Sequence, residues 1–234
     1  MSSRQQNKKK TENISSAGIS AIFGAFVVFT IFVIFLYYNF ITELSIGTGG
    51  GTLGIVFILM FVSVIGIKSI VMPGKKPPSL NDVGDILLRS FISVLLIVAP
   101  ALLAARVVPI VGRSFENTVG YFWIKMFGGL KDVANNVFQS NGMYDDHSII
   151  ATQLTDEKTQ FDTYLADMSS PESSPFKGVS AAFTTGYTTE SPIYKLYELM
   201  VKKHSISEAT MVSLATIVAM YTCFLPIKYP WIRA

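Results

Sequence analysis

The sequence predicts an all-α integral membrane protein with about four transmembrane helices and a helical extramembrane subdomain between the third and the fourth. Three observations predict it. Four long apolar runs, Ala17–Thr42, Leu53–Met72, Ile86–Val108 and Ala209–Ile227, contain no Asp or Glu, and a bilayer-crossing helix needs about 20 such residues. Charged residues make up only 15% of the chain, against about a quarter in soluble domains, and mean hydropathy is +0.44. The stretch between the third and fourth runs is polar and carries helical periodicity.

Residues 1–14 form a basic tail with Lys8, Lys9 and Lys10, expected to be disordered against anionic headgroups. The first apolar run is longer than the roughly 7–15 residues of a signal-peptide core, which predicts an uncleaved span. A Ser at 15 or 16 can cap it. Phe23, Phe26, Phe29, Phe32 and Phe35 recur every third residue. That spacing drifts about 60° per step around a helix and predicts a broad aromatic surface rather than a narrow seam. A glycine-rich turn is expected over Glu43–Thr52, and the second span then runs to Lys68, whose stem can reach outward to the headgroups. Pro73-Gly74 stops that span, and Ser79-Leu80-Asn81-Asp82 matches a capping pattern for the third. Pro100 is expected to kink it, with Arg106 and Pro109 marking its end. Residues 15–111 thus read as a three-helix membrane region.

Residues 112–208 read as the extramembrane subdomain. Its aromatic part, 112–138, is expected at the membrane surface or packed on the bundle. Its acidic part, 141–175, places Ile150, Leu154, Phe161, Leu165 and Met168 at helical spacing. Ser191-Pro192 opens a helix over 191–204, with Ile193, Leu196, Tyr197 and Met200 on one face. Ser205-Ile206-Ser207-Glu208 reads as a capping box launching the fourth span, and 209–234 holds that span and a short tail.

Basic residues precede span one, are absent between spans one and two, return between two and three, and follow span four as Lys228 and Arg233. This pattern predicts both termini on the cytosolic side. Lys8, Lys9, Lys10, Lys68, Arg106, Arg113, Trp123 and Trp231 are the expected membrane-interface residues. An alternative for Arg106 or Arg113 is an ion pair with Glu116.

Chemistry-bearing motifs are sparse. The single cysteine, Cys223, allows no intrachain disulfide and no thiolate zinc site. Gly49-Gly50-Gly51-Thr52-Leu53-Gly54 matches a dinucleotide-binding spacing but lacks a strand before it. Asp145-Asp146-His147 reads as a solvated acidic loop, with weak divalent-cation binding as the alternative. The Ser/Thr-rich stretch 180–191 holds no base or acid apart from Glu190, and neither histidine is near it in sequence. A net charge of +3 without a basic stripe excludes a nucleic-acid footprint. No catalytic residue, metal site or cofactor is expected, and the chain reads as a non-enzyme.

The run from Arg106 to Ile124, centred on Phe115-Glu116-Asn117-Thr118-Val119-Gly120-Tyr121, resembles multi-pass membrane proteins of nucleocytoplasmic large DNA viruses. The resemblance implies a structural protein of the virion inner membrane, or a minor capsid component linking membrane to protein shell. The expected partners are then the lipid bilayer and other membrane or capsid-type proteins within a larger assembly. The acidic residues Asp145, Asp146, Asp156, Glu157, Asp162 and Asp167 are the expected partner-binding set, meeting a basic patch. A channel or transporter subunit is the alternative, although the apolar runs bury none of the acids that usually mark ion pathways.

Overall fold

The computed structural model describes residues 16–44, 49–71, 80–137, 154, 156, 159–163 and 191–228. Every regular element among them is helical. The long elements are α1 (Ser16–Leu44), α2 (Gly49–Val71) and α3 (Leu80–Ser93). A π-helical turn, Val94–Val98, leads into α4 (Ala99–Val107). Then come α5 (Pro109–Phe115), a second π turn at Glu116–Gly120, α6 (Tyr121–Met126), α7 (Leu130–Val137) and α8 (Pro192–Lys228). Among the described residues, four stretches are long and apolar enough to cross a membrane: Gly18–Tyr38, Gly51–Ile70, Asn81–Val107 and Pro192–Leu225. The protein is therefore a multi-pass membrane protein by length and composition, with further helices between its third and fourth spans.

Several local expectations change. Gly49–Thr52, expected in a turn, is helical. In apolar surroundings each unpaired amide is costly, so the helix extends through its glycines rather than stopping before them. Pro100 acts through the turn before it. Lacking an N–H and crowding the preceding carbonyls, it sits just after a π turn in which the Ala99 N–H donates to the Val94 carbonyl. Pro109 does end the third span. It forces Val108 into an extended conformation, φ −102° and ψ 96°, and occupies the first turn of α5. The capping box at Ser205–Glu208 is overruled, because α8 passes through it without a break. At about 1.5 Å per residue its 37 residues extend about 55 Å, well beyond the roughly 30 Å of hydrocarbon. Among the described acidic-segment residues, only 159–163 are helical and Leu154 lies outside any helix.

The chain divides into two compact units, with boundaries inside α1, α4 and α8. The first contains α1 as far as Tyr37, α2, α3, the start of α4 and α8 from Val212 onward. Its helix contacts close a ring. Thr30 Oγ1 of α1 lies 3.2 Å from Ser63 Oγ of α2, in a buried hydroxyl pair. Gly66 lets the Phe26 ring approach so closely that a Cβ there would sit 2.7 Å from its tip. Phe57 of α2 meets Phe91 of α3 edge to face. Ser93 of α3 reaches Thr222 and Cys223 of α8, and Phe23 of α1 stacks on Phe224 of α8 at 4.7 Å. Small residues and hydroxyl pairs suit helices in lipid, where apolar burial alone gives little association. The drift of the phenylalanines is visible here: Phe23 and Phe26 pack inward, while Phe29 and Phe32 are exposed. Val28, Ile58, Val62, Leu88, Leu95, Leu96, Leu214 and Val218 are also exposed, an apolar surface that a lipid environment covers.

The second unit contains the end of α1 from Tyr38, the end of α4, α5, the second π turn, α6, α7, the described parts of 154–163 and α8 up to Met211. Its core is Ile124, Leu130, Ala134, Val137, Leu154, Phe161, Ile193, Leu196, Leu199 and Met200. Two glycines shape it. Gly129 takes φ +66°, a left-handed turn between α6 and α7 that other residues rarely adopt. At Gly120 a Cβ would overlap Ser207 Oγ and the Lys203 carbonyl, so the π turn lies directly on the backbone of α8.

Gly120→Val should destabilise the protein by about 1–3 kcal/mol, because the obstructing atoms include backbone that cannot move aside. Gly54→Ala has open space around it and should gain up to about 1 kcal/mol from helix propensity. Denaturant unfolding in detergent, followed by circular dichroism, distinguishes the opposite signs.

Candidate functional site: a buried polar network on the fourth long helix

The face of α8 that begins apolar with Ile193, Leu196 and Met200 continues through Lys203 and Ser207 as a polar stripe. These positions recur at three- and four-residue spacing, so one face of one helix carries both core and network. Lys203 is 1% exposed. Its Nζ donates to the Leu154 carbonyl at 3.0 Å, tying the 154 segment to α8. The Ser207 hydroxyl lies 2.7 Å from the Lys203 carbonyl and 3.2 Å from the Phe115 carbonyl, where it caps the end of α5.

Opposite this stripe the second π turn carries Glu116. Its extra residue per turn turns Glu116 and Gly120 together into the interior, and π turns of this kind recur at functional sites. Glu116 Oε1 lies 2.6 Å from His204 Nδ1. Asp156 Oδ1 lies 3.7 Å from the same nitrogen. On the other side of the ring, His204 Nε2 faces Glu208 Oε2 at 3.9 Å, and Arg106 Nε donates to Glu208 Oε1 at 2.5 Å. A small cleft opens beside this group, lined by Gly112, Phe115, Glu116, His204, Ser207 and Glu208 among others.

Burial pushes the Glu116 carboxyl up. The hydrogen bond from His204 and the positive charges of His204, Lys203 and Arg113 outweigh it, so the group is held below its usual value of about 4.5. Three carboxylates thus face Arg106, Lys203 and an imidazole. The Ser207 hydroxyl is directed at backbone carbonyls.

The expected site residues distribute as follows. Asp156 joins the network, and Asp162 lies on the 159–163 turn, half-buried. Asp145, Asp146, Glu157, Asp167, the Asp145-Asp146-His147 motif, Trp231, the 1–14 tail, most of 141–175 and the 180–190 stretch lie outside the described residues. Lys68, expected to reach the headgroups, is buried and paired with Asp82 at 2.8 Å. Arg106, expected as a headgroup anchor, pairs with Glu208 rather than with Glu116. Arg113 and Trp123 are exposed. Sequence reasoning passed over Lys203, His204 and Glu208 as network members. The available signal was Lys203, Ser207 and their neighbours continuing the apolar stripe at helical spacing, which the capping-box reading obscured.

Comparison with protein-family models, curated proteins and solved structures finds no match to the chain.

Lys203→Met should cost about 1–3 kcal/mol, because it strips the Leu154 carbonyl of its donor and Glu116 and Asp156 of a nearby positive charge. Because the Glu116 carboxyl is lower in the folded than in the unfolded state, its stabilisation is full above about pH 4.5 and fades as pH falls through the folded value. Thermal melts from pH 3 to 5 should therefore show wild type losing stability faster than Glu116→Gln on acidification.

Proposed function

We propose that the chain is a non-enzymatic structural membrane protein. Its first unit anchors it, and its second unit lies against the membrane surface and offers the remainder to a protein partner. One observation carries the reading. From the end of α4 through α6 the second unit exposes Val107, Val108, Ile110, Phe122, Trp123, Met126 and Phe127, with Ile110 75% and Phe127 67% exposed. Such a large exposed apolar strip marks an interaction surface. Arg113, Lys125 and Lys131 are exposed beside it, and the Lys125 ammonium lies over the Tyr121 ring. Aromatic and basic side chains alternating on short helices fit the headgroup boundary of an anionic bilayer.

The partner reading rests on the acidic composition of 141–175, which would meet a basic protein surface. The likeness of 106–124 to virion membrane proteins of nucleocytoplasmic large DNA viruses would make that partner a shell protein. The distribution of Lys and Arg supports both termini on the cytosolic side.

The chain has two tryptophans. In Trp231→Phe protein, reconstituted into vesicles with lipids brominated near the headgroup, Trp123 fluorescence should be strongly quenched. Unquenched emission, as from a water-exposed indole, would defeat the membrane-surface placement. Cross-linking in the source membrane should capture a basic protein partner in a salt-sensitive manner, whereas selective ion flux through the purified protein in liposomes would favour a channel instead.

A further inference from the structure

We infer that Glu116, Asp156 and His204 form a binding site for a first-row divalent cation of the zinc or manganese class. The site is independent of the proposed anchoring role.

The three side chains come from segments far apart in sequence, and one ligand atom from each lies within 4.8 Å of the other two. Of the two distances at Nδ1, that to Glu116 is a hydrogen bond and that to Asp156 is not. Ligands about 2.1 Å from a common cation stand about 3.0–3.4 Å apart in octahedral or tetrahedral geometry. The separations at Nδ1, 2.6 Å to Glu116 and 3.7 Å to Asp156, bracket that range. Nδ1 has at most one proton to donate, and 3.7 Å is beyond hydrogen-bond reach. A cation between the three atoms engages both carboxylates and the imidazole lone pair at once, as side chains whose ligand atoms already lie within 4.8 Å of one another close around it.

The surroundings fit the same assignment. Coordination through Nδ1 leaves the Nε2 proton facing Glu208, whose other oxygen is held by Arg106. At 3.9 Å that carboxylate acts on the ring by charge, and the hydrogen bond that orients a metal-bound histidine would need it about an ångström closer. A small cleft bordered by Glu116, His204 and Glu208 lies beside them. One imidazole with two carboxylates favours zinc, cobalt or manganese over magnesium and calcium, which prefer all-oxygen shells. Lys203 and Arg113 place positive charge near Glu116 and set an upper limit on affinity.

The test uses the full chain in nanodiscs, stripped with chelator and titrated at neutral pH with Co2+, then with Zn2+ as competitor. Saturable visible absorption at one Co2+ per chain, displaced by Zn2+, is expected. Asp156→Asn, at a half-exposed position, should weaken Co2+ binding at least tenfold without unfolding the protein. Glu208→Gln should weaken it less than Asp156→Asn does, through the charge it removes beside the imidazole, and Asp132→Asn, outside the network, should leave it unchanged. Absence of a stoichiometric Co2+ spectrum, or equal affinity in wild type and Asp156→Asn, would overturn the site and leave an imidazole–carboxylate ion pair only.

Discussion

The second unit depends on the contact between Glu116 and His204. Burying a carboxylate costs several kcal/mol unless it is met by a charge or hydrogen-bond donors, and Glu116 is only 9% exposed. The imidazole meets that cost, and the geometry that brings the two together constrains the surrounding chain. Glu116 reaches α8 because its turn is π-helical, and the turn can lie on α8 because Gly120 has no side chain. Ser207 then serves the Phe115 carbonyl, and Lys203 fastens the Leu154 segment over the same core that contains Phe161. One buried acid thus explains a backbone irregularity, a glycine and two side-chain-to-carbonyl bonds.

The first unit follows different physics. Its helices expose large apolar side chains and associate through hydroxyl pairs, a glycine contact and stacked rings. In water that surface would drive aggregation. In lipid it is neutral, and interhelical contacts of modest strength decide which helices are neighbours. Lys68 obeys a related rule. At the end of α2 its ammonium has either to reach water or to find an anion, and Asp82 at the start of α3 is near enough to supply one. This ion pair joins consecutive spans across the proline-rich connection.

Much of the fold was legible from residue order. Four apolar runs became four long helices, Pro109 ended the third span, and Ser191-Pro192 opened α8, with the Ser191 hydroxyl accepting from the Tyr194 amide. Ile193, Leu196 and Met200 lie on the buried face their spacing indicated. The failures came where a local signal competed with a tertiary one. Ser205–Glu208 has the letters of a capping box, but Ser207 and Glu208 are engaged by Phe115 and Arg106, so nothing stops the helix. The glycines at 49–51 look like a turn until the cost of unpaired amides in lipid is counted.

The sequence by itself determined the elements and their environment: helical spans, a polar segment between the third and fourth, and an aromatic half beside an acidic one. These follow from periodicity and composition, which act over a few turns. Only the tertiary structure decided that Glu116 and His204, 88 positions apart, would meet, and that Asp156, Arg106 and Glu208 would gather around the same imidazole. Such pairing depends on which helix faces approach closely enough, a matter of glycine contacts and one additional residue in a turn, and no local pattern encodes it.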